Sequence, residues 1–151
     1  MLIDLLLAIS HHVVAFVLVA LLAAEARALA QAPDTPGIRS LVVLDRLYGI
    51  AAGLMLIIGA LRVAYGVKDP SFYLLNSLFW AKMLAFGTVG ALSVVPTITY
   101  VRWTRQLKVD ANFHPSDHEI SRVRKFVRLQ LITFVLIPVF AAAMARGYGF
   151  W

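Results

Sequence analysis

Four long apolar stretches, separated by short polar segments, constrain this 151-residue chain more than any other feature. They span roughly 2–31, 40–66, 71–107 and 119–146. About 20 apolar residues in a row are enough for a helix to cross the hydrocarbon of a bilayer. Because 61% of the residues are hydrophobic and only 15% are charged, no aqueous core of this size would bury them. We therefore predict a single transmembrane domain over residues 1–151: an all-α integral membrane four-helix bundle with up-down-up-down topology.

Short polar segments predict where these helices begin and end. Residues 33–37 read Pro-Asp-Thr-Pro-Gly, a turn, and residues 68–70 read Lys-Asp-Pro, which breaks the second stretch from the third. Ser116 and Glu119 have the spacing of a capping box at the start of the last helix. Pro96 should kink its helix or be accommodated by local adjustment. The aromatic tail, residues 147–151, is expected at a membrane interface.

The distribution of basic residues predicts an orientation. The net charge is +6, and seven basic residues fall between the third and fourth stretches: Arg102, Arg105, Lys108, Arg122, Arg124, Lys125 and Arg128. By the positive-inside rule this loop is cytoplasmic, as is the loop after the first stretch, so both termini face outward from a bacterial inner membrane. A loop this short and this close to the membrane does not favour a nucleic-acid partner. The start of the chain lacks a positive segment, so we expect a retained helix rather than a cleaved signal.

Two adjacent histidines in the first apolar stretch are the most specific functional signal. His11 and His12 lie well inside the hydrocarbon, where an imidazole is costly unless it pairs, ligates or moves protons. Asp4, His11 and Glu25 are separated by multiples of seven residues and therefore share approximately one helix face. This spacing favours His11 over His12 as the inward-facing histidine.

The predicted topology brings further polar side chains to the depth of His11. A neutral imidazole is the usual axial ligand of b-type haem in helical bundles, and the chain has no cysteine to supply thiolate ligands. No other apolar stretch offers a second histidine, so Lys82 is the candidate second ligand or a neighbouring charge, and His12 is the alternative to His11. Alternatively, the histidine bonds a neighbouring helix and Lys82 extends towards the interface. The candidate cofactor-binding residues are His11, His12, Arg62 (for a propionate), Asn76, Trp80 and Lys82.

The opposite half of the bundle is expected to hold a second polar set: Glu25, Arg27, Asp45, Arg46 and Arg102. These residues either form interfacial ion pairs and extend towards the membrane surface at the helix ends, or they provide a proton path or a site for an anionic group. Small residues also recur four apart, at Gly49/Gly53 and Gly87/Ala91, a spacing that lets helices approach closely in lipid or leaves room for a flat cofactor.

Several of these residues together resemble a known family. The histidine pair, Asp45 with Tyr48-Gly49, Arg62, and Asn76 with Phe79-Trp80 and Lys82 resemble the DUF2214-like group, uncharacterised four-helix membrane proteins of bacteria. More distantly the chain is similar to the HemJ-type protoporphyrinogen oxidases. That similarity implies b-type haem, with His11 or His12 as the histidine and Lys82 as the lysine.

We therefore expect a haem-binding membrane redox protein that transfers electrons or oxidises a porphyrinogen, with quinone as a plausible acceptor. Its partners would be the lipid bilayer, and a larger membrane complex or a second copy of the chain. One alternative is a cofactor-free accessory subunit of such a complex. Another is a small transporter with Glu25, Asp45 and Lys82 as a proton relay, although no inverted repeat supports it.

Overall fold

A computed structural model describes residues 2–149 and shows four long helices and one short helix. They are α1 (Leu2–Ala28), α2 (Thr35–Tyr65), α3 (Pro70–Leu74), α4 (Ser77–Val109) and α5 (Asp117–Ala145). The four long helices are each long and apolar enough, by length and composition, to cross a membrane. The predicted all-α four-helix membrane fold is thereby confirmed. Met1, and Phe150 and Trp151 of the aromatic tail, lie outside the described residues.

The long helices form two antiparallel hairpins, α1 with α2 and α4 with α5. The hairpins pack side by side, with α2 on α4 and α1 on α5, so α1 and α4 face each other across the diagonal of the bundle. We call the end that holds residue 2 and residue 149 the terminal end. The end that holds the loops at residues 29–34 and 110–116 is the basic-loop end.

A repeat of three and four residues explains why these helices pack as they do. The buried and half-buried positions of α2 along this seam are Ile38, Leu41, Asp45, Tyr48, Ala52, Met55, Gly59 and Arg62. The corresponding positions of α4 are Phe79, Lys82, Phe86, Val89, Ser93, Pro96, Tyr100, Trp103 and Leu107. Such a seven-residue repeat keeps one face of each helix directed at its neighbours along its whole length. Polar residues that fall on the seam are therefore carried into the interior.

The second helix begins earlier than the sequence predicts. We placed its start near residue 40, but α2 starts at Thr35 because the side chain of Asp34 accepts a hydrogen bond from the Gly37 amide at 2.9 Å. Pro36 occupies the first turn, where its missing N–H leaves no helical bond unmade. The residues read as a turn therefore include the cap and first turn of α2, and α1 ends at Ala28 rather than 31.

The third apolar stretch is interrupted, contrary to the single helix predicted over 71–107. The short helix α3 ends at Leu74, and α4 begins at Ser77 with Asn76 as its cap. The Asn76 side chain is fully buried and accepts a hydrogen bond from the Leu78 amide at 2.9 Å. An asparagine in this position satisfies free amides of the first helical turn, which is why the chain restarts its helix here.

The remaining predicted signals are present. Ser116 and Glu119 form the expected capping box of α5. Helix α4 continues through the buried Pro96. At the basic-loop end, the Arg124 guanidinium donates to the carbonyl of Leu29 at 2.6 and 3.1 Å, which ties α5 to the end of α1.

Candidate functional site

The two histidines of α1 have different surroundings. His11 is half-buried on the side of α1 that faces α2, where a Cβ placed on Gly59 would lie 3.7 Å from the His11 ring. His12 is exposed on the outer surface of the bundle, and its Nδ1 lies 2.6 Å from the backbone carbonyl of Ala8. The structure thus directs His11 inward, as the seven-residue spacing predicts, and gives His12 a partner on its own helix.

Two other basic side chains face the same part of the interior as His11. Arg62 on α2 and Lys82 on α4 are both half-buried seam residues within electrostatic range of the imidazole. Lys82 also places its Nζ 5.0 Å from the centre of the Phe79 ring, a cation–π contact. Three helices therefore contribute one basic group each to a cluster near the terminal end, which we call the basic cluster: His11, Arg62 and Lys82.

The basic cluster has nitrogen atoms with unused hydrogen-bonding capacity. Nδ1 of His11 and Nε of Arg62 are buried and have no hydrogen-bond partner among residues 2–149. In that part of the chain the one ion pair within 4.0 Å joins Arg102 to Glu119 at the far end of the bundle. Buried nitrogen donors of this kind normally have partners. The cluster is thus suited to an anionic group, or to a metal ion that takes the imidazole nitrogen.

Two residues that the sequence placed in this site have other roles in the structure. Asn76 uses its side chain to cap α4 and to donate to the carbonyl of Tyr148 at 2.9 Å, so it joins the tail to the start of α4. Trp80 is 56% exposed, and its indole N–H donates to the Leu74 carbonyl at 3.0 Å. The structure brings neither side chain into the basic cluster.

The two acidic residues of the opposite half, Glu25 and Asp45, form no ion pair in the described chain, whereas Arg102 of the same set pairs with Glu119. Glu25 is 2% exposed, and its carboxylate accepts a hydrogen bond from the Tyr100 hydroxyl at 2.6 Å. Asp45 accepts one from the Thr97 hydroxyl at 2.7 Å. Both carboxylates are held by hydroxyl groups of α4 rather than by arginines. The basic residues of this set, Arg27, Arg46 and Arg102, are exposed.

The glycine pattern also has a different consequence from the one predicted. A Cβ added at Gly49, Gly53 or Gly87 would meet nothing within 4 Å, so these residues do not bring helices of this chain into close contact. Ala91, the partner of Gly87 in the pattern, is exposed. The small residues instead leave open space on the outer face of α2 and α4.

Residues 2–149 hold no group of three or more His, Cys, Asp or Glu side chains placed to bind one metal ion. His114 and His118, which are four apart, are both exposed near the start of α5. They are solvated residues, as the polar loop around them predicts.

Sequence reasoning missed the residues that hold the two carboxylates. Tyr100 and Thr97 were not singled out. Tyr48 was named only as part of the family resemblance, and the structure buries it within electrostatic range of Glu25 and Asp45. The signal that would have found Tyr48 and Tyr100 is the three-and-four-residue seam of α2 and α4, which passes through both.

Comparison with known proteins identifies one family. Neither the curated proteins nor the solved structures contain a match to this chain. A family model described as a predicted membrane protein, DUF2214, matches residues 3–149, which is nearly the whole chain. The chain therefore belongs to the DUF2214 family of predicted membrane proteins.

Proposed function

We propose that this membrane protein binds b-type haem at the basic cluster and acts in electron transfer or porphyrinogen oxidation. The observation that carries the proposal is the buried, unpartnered Nδ1 of His11 on the inward face of α1. A neutral imidazole without a protein partner is available as an axial ligand. Its neighbours Arg62 and Lys82 supply positive charge without an acidic partner.

The side chains of the basic cluster are of the types that hold b-type haem. His11 would hold the iron, and Arg62 would pair with a propionate carboxylate, for which guanidinium geometry is favourable. Lys82 would be the second ligand or a charge beside the macrocycle. When bound, the haem would supply one-electron redox chemistry, while the apolar interior of the bundle would keep water away from it. His12, Asn76 and Trp80 have no part in this arrangement, because their polar atoms are used elsewhere or face outward.

An absorption spectrum of the purified protein tests the proposal directly. The protein is expressed with haem available and extracted in mild detergent, and we expect a Soret band that sharpens on reduction. His11→Ala should abolish the band, whereas His12→Ala, its matched neighbour on the exposed face, should leave it unchanged. A well-folded preparation without a Soret band would contradict haem binding. If that colourless protein then copurified with a larger membrane complex at a fixed stoichiometry, the result would favour a cofactor-free accessory subunit.

The orientation of the chain belongs to the same proposal. Basic residues of α4 and α5 flank the loop that joins these helices, and others flank the first loop, which supports a basic-loop end in the cytoplasm of a bacterial cell and a terminal end outside. The basic cluster would then lie in the outer half of the inner membrane. Cysteines introduced singly at Asn112 and at Tyr148 test this, because a membrane-impermeant thiol reagent should label only the second in intact spheroplasts. Labelling of the first alone would reverse the orientation.

A further inference from the structure

A small cavity between α2 and α4 lies apart from the basic cluster. Its volume is about 90 Å³. Asp45 lies on its wall, at about the same depth in the bundle as Glu25. Glu25 is 14 residues, or ~21 Å, along α1 from His11 of the basic cluster. The lining residues are Asp45, Tyr48, Gly49, Ala52, Phe86, Val89, Gly90, Ser93 and Thr97.

The cavity opens on the outer surface of the bundle. Gly49 and Gly90, one from each helix, lie on its rim, and both are exposed. A Cβ at either position would meet nothing within 4 Å, so no side chain of this chain closes the space beside them. In a membrane this surface faces lipid, which makes the bilayer the route by which a ligand reaches the cavity.

The inner wall of the cavity carries polar groups that this chain does not fully use. Tyr48 is 6% exposed, lines the cavity, and makes no side-chain hydrogen bond within residues 2–149. Asp45 has one carboxylate oxygen bonded to Thr97 at 2.7 Å, which leaves the second oxygen available. A tyrosine hydroxyl that lines a cavity and makes no hydrogen bond to its own chain is free to donate one to a ligand there.

Charge and shape restrict what that partner is. Asp45 on the wall and Glu25 behind it are both acidic, and no basic side chain forms an ion pair with either in the described chain. The wall therefore offers no basic side chain to hold a phosphate or carboxylate head group. The Phe86 side chain offers an aromatic surface on the wall, and the volume admits only one small ring.

We propose that this cavity binds the polar ring of a neutral, membrane-dissolved molecule of the quinone and quinol class. Tyr48 donates a hydrogen bond to one ring oxygen. Asp45 accepts a hydrogen bond from the other ring oxygen when that is a quinol hydroxyl, or from a bridging water when it is a quinone carbonyl. The apolar tail leaves between Gly49 and Gly90 into lipid. The site does not depend on haem, because none of its residues belongs to the basic cluster.

Photolabelling of the full chain in lipid nanodiscs tests the proposal. A short-tailed benzoquinone with a photoreactive tail is titrated, and crosslinked peptides are mapped by mass spectrometry. We expect saturable labelling within residues 45–52 and 86–97. Tyr48→Phe, which removes only the hydroxyl, should raise the half-saturating concentration about tenfold.

Glycine variants separate the cavity from its surroundings. Gly90→Leu should block the mouth and abolish saturable labelling, whereas Gly87→Leu, on the same helix but off the cavity lining, should leave it as in wild type. Equal labelling of the wild type, Tyr48→Phe and Gly90→Leu would overturn the proposal, as would crosslinks elsewhere. The proposal would also be overturned if a long-chain fatty alcohol reduced the photolabelling as effectively as unlabelled quinone does, because the cavity would then be a general lipid site. If a protein without a Soret band shows the expected photolabelling, the haem proposal is refuted and the quinone proposal is not.

Discussion

The hydrogen bond from Tyr100 to Glu25 is the interaction whose loss should weaken the bundle most specifically. It joins α4 to α1 across the diagonal, where the two backbones make no close approach in the described chain. Both residues are almost inaccessible, at 1% and 2% exposure. Tyr100→Phe would leave a buried carboxyl group without its donor.

The expected magnitude follows from two opposing estimates. An unsatisfied buried polar group costs about 1–3 kcal/mol in water-soluble proteins. Hydrogen bonds between membrane helices average about 0.6 kcal/mol and reach about 1.7, because the unfolded chain in lipid also finds partners. Since the Glu25 carboxylate has no second hydrogen bond among residues 2–149, we expect the upper part of the membrane range, about 1.5 kcal/mol.

Equilibrium unfolding in mixed micelles, with increasing dodecyl sulfate, measures this loss. Thr99→Val is the matched control, because it removes a buried hydroxyl on the same helix that bonds only the Val95 carbonyl of its own helix. The double variant Glu25→Leu with Tyr100→Phe should be less destabilised than the sum of the single variants, because both partners are then apolar. The reasoning would be refuted if the losses of unfolding free energy were strictly additive in the double variant. It would also be refuted if the loss for Tyr100→Phe were no larger than the loss for Thr99→Val.

Three further stability predictions use the same unfolding assay. Gly149→Ala should cost about 1–2 kcal/mol of unfolding free energy, because its φ is +87° and a Cβ would lie 2.7 Å from both Asn76 Oδ1 and Leu78 Cγ. Gly147→Ala, with a φ of +86° and open space around it, should cost less. Equal losses for the two variants would mean that the contact at Gly149 does not matter. Arg124→Ala should cost about 1–3 kcal/mol through the unpaired carbonyl at the end of α1, whereas exposed Lys125→Ala should be nearly neutral. Ser116→Ala should cost about 1 kcal/mol through the lost cap, and a change below about 0.3 kcal/mol would contradict the capping role.

The sequence was most informative where a signal was local or periodic. The apolar stretches predicted all four membrane-length helices, the spacing of Ser116 and Glu119 predicted a cap, and the seven-residue spacing predicted that His11 faces inward. Each of these depends on residues within one element, so the periodicity of a helix is enough to read it.

The failures have a common physical cause. Asn76 resembles a polar residue inside a helix, but its partners are the Leu78 amide and the carbonyl of Tyr148, 72 positions further along the chain. Glu25 resembles half of an interfacial ion pair, but its partner is the hydroxyl of Tyr100 on the diagonal helix. A side chain's partner depends on which helices become neighbours, and that is decided by packing rather than by local sequence.

The two halves of the bundle carry ionisable groups of opposite type, and this explains why the two proposed sites are expected to take different ligands. His11, Arg62 and Lys82 lie near the terminal end, while Glu25 and Asp45 lie about 21 Å further along the helices. At that separation and an effective dielectric constant of about 20, two unit charges attract by less than about 1 kcal/mol. The acidic residues are therefore too far away to act as partners of the basic cluster. Arg62 and Lys82 favour an anionic ligand, whereas the cavity beside Asp45 has no basic side chain to hold one. We therefore expect two chemically different ligands, and a single ligand spanning both halves would contradict this division.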